Sequence, residues 1–311
     1  MLNEIVLKKT NYNNEWQYNL TQFKNYFLGR TNLSKECEIL NPKTLHFEFD
    51  KKTGTLTAEA REPLKLKHKG LGYLITFDLV QFFLDRKKGN YLGYTKFENL
   101  KGGRRKLRRW KKNRLKAFNG SKMHFVRSLV NGNTKEEGFN MNQFRRELNP
   151  ERPTEKQIEH ARQIVKLSRK SNLNFSKKIA HPTTELDSAI VVLRKASIPK
   201  YKDYLYKQNV LFSDVVKTKS NKKVLSFKDF LSVIYTKEGE EKNYIMGPFG
   251  KKREPLNVQT SSITMLSAIA ILEKSGEIIN PLDLYNEGYW AYEQFADALP
   301  LDYQPIKGKV K

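Results

Sequence analysis

Residues 45–60 read LHFEFDKKTGTLTAEA, and this stretch decides the fold class. Leu45, Phe47 and Phe49 alternate with polar residues, which is typical of a strand with one buried face. A Lys-Lys-Thr-Gly turn follows and leads into a second alternating run at residues 55–60. The stretch therefore predicts a β-hairpin.

The sequence on both sides extends this prediction. Residues 64–68 and 73–79 predict two more strands, which would continue the hairpin as an antiparallel meander. Upstream, the large apolar residues of residues 12–28 recur at spacings of four, three and four, which predicts a helix with one buried face. They are Trp16, Leu20, Phe23 and Phe27.

A strongly basic segment follows the predicted strands. Residues 101–116 contain ten basic residues and no acidic one. On a helix, Leu107 and Trp110 fall with Arg114 in one arc of about 100°, so the segment predicts a helix that docks through one face. Because an isolated charge is costly in an apolar stripe, we expect Arg114 to pair with a carboxylate or several carbonyls. Trp110 and Arg114 are thus predicted to be structural.

The other face of this helix is the candidate binding face. Its residues are Arg104, Arg105, Arg108, Arg109, Lys112 and Lys116. The whole chain carries 58 Lys plus Arg against 33 Asp plus Glu, a net charge of +25. Nucleic acid, anionic lipid and acidic polysaccharide fit this charge equally well, and so does a solvated surface that binds nothing.

The middle of the chain predicts further helices and a joint. Ser121 is placed to cap a short helix that ends near Leu129, which gives a two-helix insert after the sheet. Two prolines mark residues 149–153, and Thr154 with Gln157 forms a capping box for another helix. We therefore expect one domain at residues 1–149 and a second at residues 150–311, with a single domain as the alternative.

The second half predicts hairpins and a final helix. One hairpin is expected from residues 230–236 and 243–246, and another from residues 262–273 and 277–280. Residues 283–299 predict one or two helices, in which Trp290 is structural. The fold class is therefore α+β, with antiparallel sheets, a helical insert and packed helices.

No catalytic or metal-binding motif is present. The histidines are scattered, at residues 46, 68, 124, 160 and 181, and none has zinc-ligand spacing. Cys37 is the only cysteine, which excludes an intrachain disulfide. The carboxylate pairs Glu136-Glu137 and Glu240-Glu241 are predicted to be solvated turn residues. We predict no catalytic residue, metal or cofactor, and His124, beside the basic helix, is the histidine to mutate first.

Several short runs together resemble a known family. The resemblance covers nearly all of the chain and rests on residues 27–29, 37–42, 72–73, 91–94, 110–121, 124–129, 288–290 and 299–303. These runs are similar to the carboxypeptidase-like regulatory domain proteins of Bacteroidota, in the region that follows their transthyretin-like β-sandwich. The resemblance implies an exported envelope protein and implies no carboxypeptidase activity, since the sandwich is a non-catalytic module.

The leading hypothesis is a non-enzymatic protein of the periplasm or cell surface, which presents a basic face to anionic envelope material or a protein partner. No transmembrane segment is expected. The first alternative is a cytoplasmic nucleic-acid-binding protein that uses residues 101–116, which would hold if Met1 is the native start. The second alternative is an unrecognised hydrolase, which requires a cleft with convergent polar groups.

Overall fold

The structure, a computed structural model, describes residues 11–85, 88–168, 179–245 and 253–305. The predicted α+β class is confirmed. The helices are α1 (Asn14–Phe27), α2 (Arg104–Phe118), α3 (Lys122–Asn131), α4 (Glu155–Leu167), α5 (Glu185–Lys195), α6 (Phe212–Val215), α7 (Lys242–Ile245) and α8 (Tyr289–Tyr292). Short 3₁₀ turns lie at Ser34–Glu36, Pro42–Thr44, Pro281–Asp283 and Phe295–Asp297.

The strands belong to antiparallel sheets. They are β1 (Cys37–Ile39), β2 (Leu45–Asp50), β3 (Thr55–Ala60), β4 (Leu64–His68), β5 (Tyr73–Asp85), β6 (Lys88–Asn99), β7 (Phe139–Leu148), β8 (Tyr201–Lys207), β9 (Val216–Lys219), β10 (Lys222–Leu225), β11 (Phe230–Tyr235), β12 (Gln259–Met265), β13 (Ala270–Leu272) and β14 (Leu284–Gly288).

The described residues form two compact units. One contains Met1–Met141 and Asn209–Lys311, and the other is Asn142–Gln208, inserted between them in the sequence. The expected division after residue 149 differs from this arrangement. The reason is that β8 returns to pair with the second half of β7, with Arg146 opposite Asp203, so residues 142–208 close on themselves.

The first unit begins with a six-stranded sheet in the order β1-β4-β5-β3-β2, with β6 on the other edge of β5. The predicted hairpin of β2 and β3 is confirmed, with Phe47 opposite Ala58. The predicted strands at residues 64–68 and 73–79 and their antiparallel pairing are confirmed. The meander is wrong in one pairing, because β3 pairs with the end of the 13-residue strand β5 and not with β4. The first half of β5 pairs with β4 and its last residues with β3.

Helix α1 covers this sheet and encloses the first core. Its predicted apolar face is confirmed, since Trp16, Leu20, Phe23 and Phe27 are all buried. Phe27 stacks on Phe295 at 4.6 Å between ring centroids, which ties the C-terminal segment into the core. Burial of such rings dominates core energetics, because each removes a large apolar area from water.

A second core lies in the same unit around α3, β11 and β12. Phe125, Leu231 and Ile263 are buried in it with Trp290. The Trp290 Nε1–H donates to the Gly120 carbonyl at 2.7 Å, and its ring lies 5.3 Å from that of Phe125. These contacts give Trp290 a packing position.

Of three predictions for the last third, one is wrong and two are confirmed only in part. Strand β11 pairs with β12, not with residues 243–246, because residues 242–245 form a helical turn; residue 246 lies outside the described residues. Residues 262–273 divide into β12 and β13, which lie in different sheets. The second predicted hairpin is confirmed only at its turn, where the antiparallel Leu272–Ile278 bridge joins β13 to residues 277–280. In residues 283–299 the expected helices are confined to single turns, α8 with Trp290 and the 3₁₀ turn at Phe295–Asp297, because residues 284–288 form β14, which pairs with β12.

The second unit contains β8, the second half of β7, and two helices. Helix α4 starts at the predicted capping box, in which the Thr154 and Gln157 side chains satisfy each other's backbone N–H groups. Helix α5 starts at a similar box formed by Thr184 and Asp187. Each helix buries only two residues, Ile158 and Ala161 in α4 and Ala189 and Ile190 in α5.

Candidate anion-binding site

The inner face of α2 is fixed to the backbone that follows β4. Trp110 Nε1–H donates to the Lys69 carbonyl at 2.8 Å, and Asn113 Nδ2 donates to the Gly70 carbonyl at 2.8 Å. Arg114 Nε donates to the Leu71 carbonyl at 2.7 Å. Three consecutive carbonyls therefore accept hydrogen bonds from α2 side chains.

Arg114 has the expected carbonyl partners. Its Nη2 group donates to the Gly72 carbonyl at 3.2 Å and to Asn99 Oδ1 at 2.9 Å. Its guanidinium carbon lies 3.9 Å from the centroid of the Tyr73 ring. Desolvation at the interface lowers the pKa of Arg114. The hydrogen bonds and the ring contact offset the cost of burying its charge. Arg114 therefore helps to hold α2 on the backbone of residues 71 and 72.

Trp110 is packed between two glycines. A Cβ atom at Gly72, where φ is +73°, would lie 2.1 Å from the Trp110 ring, and one at Gly102 would lie 2.6 Å from it. Trp110 is therefore only 5% exposed. Leu107 differs from the prediction, because it is 45% exposed and lies outside the apolar stripe. The stripe is completed by Ala117 and Phe118.

The six predicted basic-face residues separate into two groups. In the described part of the chain, four have exposed side chains with no hydrogen-bond or ion-pair partner: Arg104, Arg105, Arg108 and Lys112. Arg109 is engaged, since its Nη2 group donates to Glu36 Oε2 at 3.0 Å and to the Lys69 carbonyl. Lys116 is also engaged, because its Nζ donates to Glu241 Oε1 at 2.8 Å.

The N-terminus of α2 lacks a side-chain cap. Gly103 occupies the N-cap position with φ −71° and ψ 170°, and it has no side-chain oxygen to accept from the N–H groups of residues 104–106. Acidic residues stabilise a helix N-terminus, but here the first helical residues, Arg104 to Lys106, are all cations. Free N–H groups and cationic side chains together form an environment suited to an anion.

An acidic cluster that the sequence analysis missed lies at the other end of α2. It consists of Glu238, Glu241, Glu293 and Asp297. The Glu241 side chain is only 10% exposed, and Glu240 beside it is 2% exposed and paired with Arg253 at 2.6 Å. The prediction that Glu240 and Glu241 are solvated is therefore wrong. The reason is that ion pairs and hydrogen bonds compensate the burial of both carboxylates.

Glu241 is the centre of this cluster. Its Oε1 atom accepts from Lys116, and its Oε2 atom accepts from the Asn32 N–H at 2.9 Å and the Tyr292 hydroxyl at 3.1 Å. Burial raises the pKa of Glu241, but the donated hydrogen bonds outweigh it and the net pKa lies below its usual value. Glu241 is therefore an ionised carboxylate whose two oxygens both have donors.

The pKa values of the neighbouring carboxyl groups are shifted in the opposite direction, upward. Burial raises the pKa of Asp297 to about 7, and the negative charge of Glu241 adds to this effect. The Thr31 hydroxyl, which donates to Asp297 Oδ2 at 2.8 Å, opposes it. Burial, together with Asp297 and Glu241, also raises the pKa of Glu293 well above its usual value. These groups come from segments far apart in the sequence, so no spacing signal reveals them.

His124 is held inside the first unit. Its Nδ1 atom accepts from the Gly120 N–H at 3.2 Å, and its Nε2 atom lies 3.1 Å from Glu137 Oε2. Burial lowers its pKa, which the partner Glu137 opposes. The ring packs 4.6 Å from that of Phe118. Its environment is that of a packing residue with both nitrogens in polar contacts.

No protein-family model, curated protein or solved structure matches this chain. The resemblance to the Bacteroidota family therefore stays a prediction. Over the ranges that the structure describes, no helix has the length and apolar character needed to cross a membrane. The same ranges contain no group of three or more His, Cys, Asp or Glu side chains arranged to hold a metal ion.

Proposed function

We propose that the protein is a non-enzymatic cell-envelope protein that binds anionic envelope material through the N-terminal turns of α2. The observation that carries the proposal is the uncapped helix start, where exposed Arg104, Arg105 and Arg108 have no partner in the described residues. Three cations beside free backbone N–H groups attract phosphate or carboxylate groups. The resemblance to exported envelope proteins supports the periplasm or cell surface as the location.

The inner face of α2 supports this proposal because it makes the binding face rigid. Trp110, Asn113 and Arg114 hold the helix on the backbone of residues 69–72. The Trp110 ring is therefore engaged in packing and is not available to stack on a nucleobase. This favours binding of a charged polymer through phosphate or carboxylate groups over binding of single-stranded nucleic acid, which uses exposed aromatic rings.

A charge-reversal variant tests the proposal. We expect R104E/R105E/R108E to weaken binding to an acidic polysaccharide or to phosphatidylglycerol vesicles at least tenfold at low ionic strength, as measured by co-sedimentation. The matched control is K51E/K52E/K65E, which changes the net charge equally at three exposed lysines elsewhere in the first unit. Equal loss in both variants would show that only net charge matters and would overturn the proposal.

A second variant tests the helix start without a change of charge. Gly103 has extended backbone geometry, and a Cβ atom there would meet nothing within 4 Å. In G103S the hydroxyl would accept from a first-turn N–H group and occupy the donor. We expect binding to weaken two- to fivefold while stability is unchanged or rises.

Tighter binding of duplex DNA than of either envelope probe at equal anionic charge would assign the face to nucleic acid instead.

A further inference from the structure

A concave site lies beside α2 in the first unit. It has a volume of about 280 Å³ and lies between the end of α1, the 3₁₀ turn that follows, strand β1 and Lys69. Its floor is apolar, since Leu28, Cys37 and Ile39 are each buried. Its rim is charged and includes Lys24 and Lys35. The site thus combines an apolar base with cations at the entrance.

Two lysines at the rim have no carboxylate partner in the described residues. Glu36 is neutralised by Arg109 at 3.0 Å, and Glu38 lies 3.5 Å from Lys69. Each carboxylate at the rim therefore has its own cation. Lys24 and Lys35 have no carboxylate partner within the described residues. Two unpaired ammonium groups at one entrance match a doubly charged anion, because each can donate a charge-assisted hydrogen bond.

The size of the site limits what it can hold. About nine water molecules would fill it at roughly 30 Å³ each. It lies just below the range of roughly 300–1,000 Å³ that accommodates drug-sized ligands. The site therefore suits one small group and not a long segment of polymer.

We propose that this concave site binds a single phosphate monoester that carries a short aliphatic segment. The phosphate lies between Lys24 and Lys35, and the aliphatic segment covers Leu28, Cys37 and Ile39. Glu36 and Lys69 both line the site and contact Arg109 of α2, so the site is continuous with the basic helix. The inference rests on the proposed function, since it assigns one phosphate-bearing end group of the anionic material to this site.

Titration with small phosphates tests the inference. Hexyl phosphate is the probe, because it carries both a phosphate and an aliphatic segment, and calorimetry measures its binding to the full chain. We expect it to bind at least tenfold more tightly than inorganic phosphate, since burial of methylene groups adds to the affinity. Glucose 6-phosphate is the second probe; tighter binding of the sugar would assign the phosphate to a glycan and contradict the aliphatic part of the inference.

Matched variants locate the binding. K24Q/K35Q should weaken hexyl phosphate binding at least tenfold, while K51Q/K52Q, which removes two exposed lysines elsewhere, should change it less than twofold. The charge reversal R104E/R105E/R108E should weaken polymer binding at least tenfold and leave a saturable hexyl phosphate site. Absence of saturable binding, or equal binding by K24Q/K35Q, would overturn this inference while the polymer result stands separately.

Discussion

The two ends of α2 use charge in opposite ways. At its N-terminus, Arg104, Arg105 and Arg108 are exposed and have no partner in the described part of the chain. At its C-terminal end, Lys116 contacts Glu241, within a cluster of four carboxyl groups from two other segments. The first end is therefore available for an external anion, whereas the second is neutralised inside the molecule.

The difference shows that a run of basic residues is not one functional surface. In the sequence, periodicity sets Arg114 apart but does not distinguish Arg109 and Lys116 from the other cations of the basic face. The structure assigns Arg109, Arg114 and Lys116 to internal contacts, so only part of the run can meet a partner. Helix electrostatics reinforce the division, since a cation is favourable at the C-terminal end of a helix and unfavourable at its start.

Among the variants that test this comparison, removal of the Trp110 ring should have the largest effect on stability. We expect W110A to lower the free energy of unfolding by about 3–5 kcal/mol, because it leaves a cavity and removes one of the two hydrogen bonds to the Lys69 carbonyl. Denaturant unfolding measures the change. L107A on the same helix is the control and should cost much less, since Leu107 is 45% exposed. Similar losses in both variants would contradict the packing role of Trp110.

Removal of the cation at the other end should have an intermediate effect. K116M leaves Glu241 Oε1 without its donor, and we expect a loss of about 2 kcal/mol in the free energy of unfolding. The double variant K116M/E241Q should recover part of the loss, because it removes the uncompensated carboxylate. K112M is the exposed control and should stay within about 0.5 kcal/mol of the wild type. An additive double-mutant cycle would show that the pair is not coupled.

The pH dependence of the acidic cluster should give the smallest effect. The pKa of Asp297 is raised to about 7, so the folded protein retains a proton that the unfolded chain releases near pH 4. This contribution to stability is present in full below about pH 4 and is lost as the pH rises through about 7. The loss in the free energy of unfolding between pH 5 and 8 should therefore be smaller in D297N, by on the order of 1–2 kcal/mol.

Thermal unfolding of D297N across this pH range provides the measurement. Asparagine retains an oxygen for the Thr31 hydroxyl, so the local hydrogen bond is kept. Glu293 contributes in the same direction, and the variant should reduce the slope without abolishing it. D302N is the control at an exposed carboxyl group nearby in the sequence. An unchanged slope in D297N would show that Asp297 is ionised throughout the range.

Local signals predicted the first part of the fold. The spacing of Trp16, Phe23 and Phe27 predicted α1, and the alternation at residues 45–60 predicted the β2–β3 hairpin. These elements were predictable because their buried faces are regular and their turns are local. The order of the strands was not predictable, since it depends on which edge of the long strand β5 its partners use.

The candidate sites were only partly predictable. The basic helix and the carbonyl contacts of Arg114 follow from periodicity and from the cost of an unpaired charge in an apolar stripe. The acidic cluster did not follow, because Glu241 and Asp297 are separated by more than 50 residues and meet only in the folded chain. Exposure of Leu107 was missed because an apolar residue at the correct helical angle can still lie beyond the contact area.

The backbone contacts beneath α2 have a consequence for sequence variation. Trp110, Asn113 and Arg114 bind main-chain oxygens, which every amino acid supplies at residues 69–72. Homologous chains can therefore exchange the exposed side chain at residue 69 without losing these hydrogen bonds, whereas Leu71 is fully buried in the first core. Selection should instead act on the three donors and on Gly72, where any Cβ atom would overlap the indole ring.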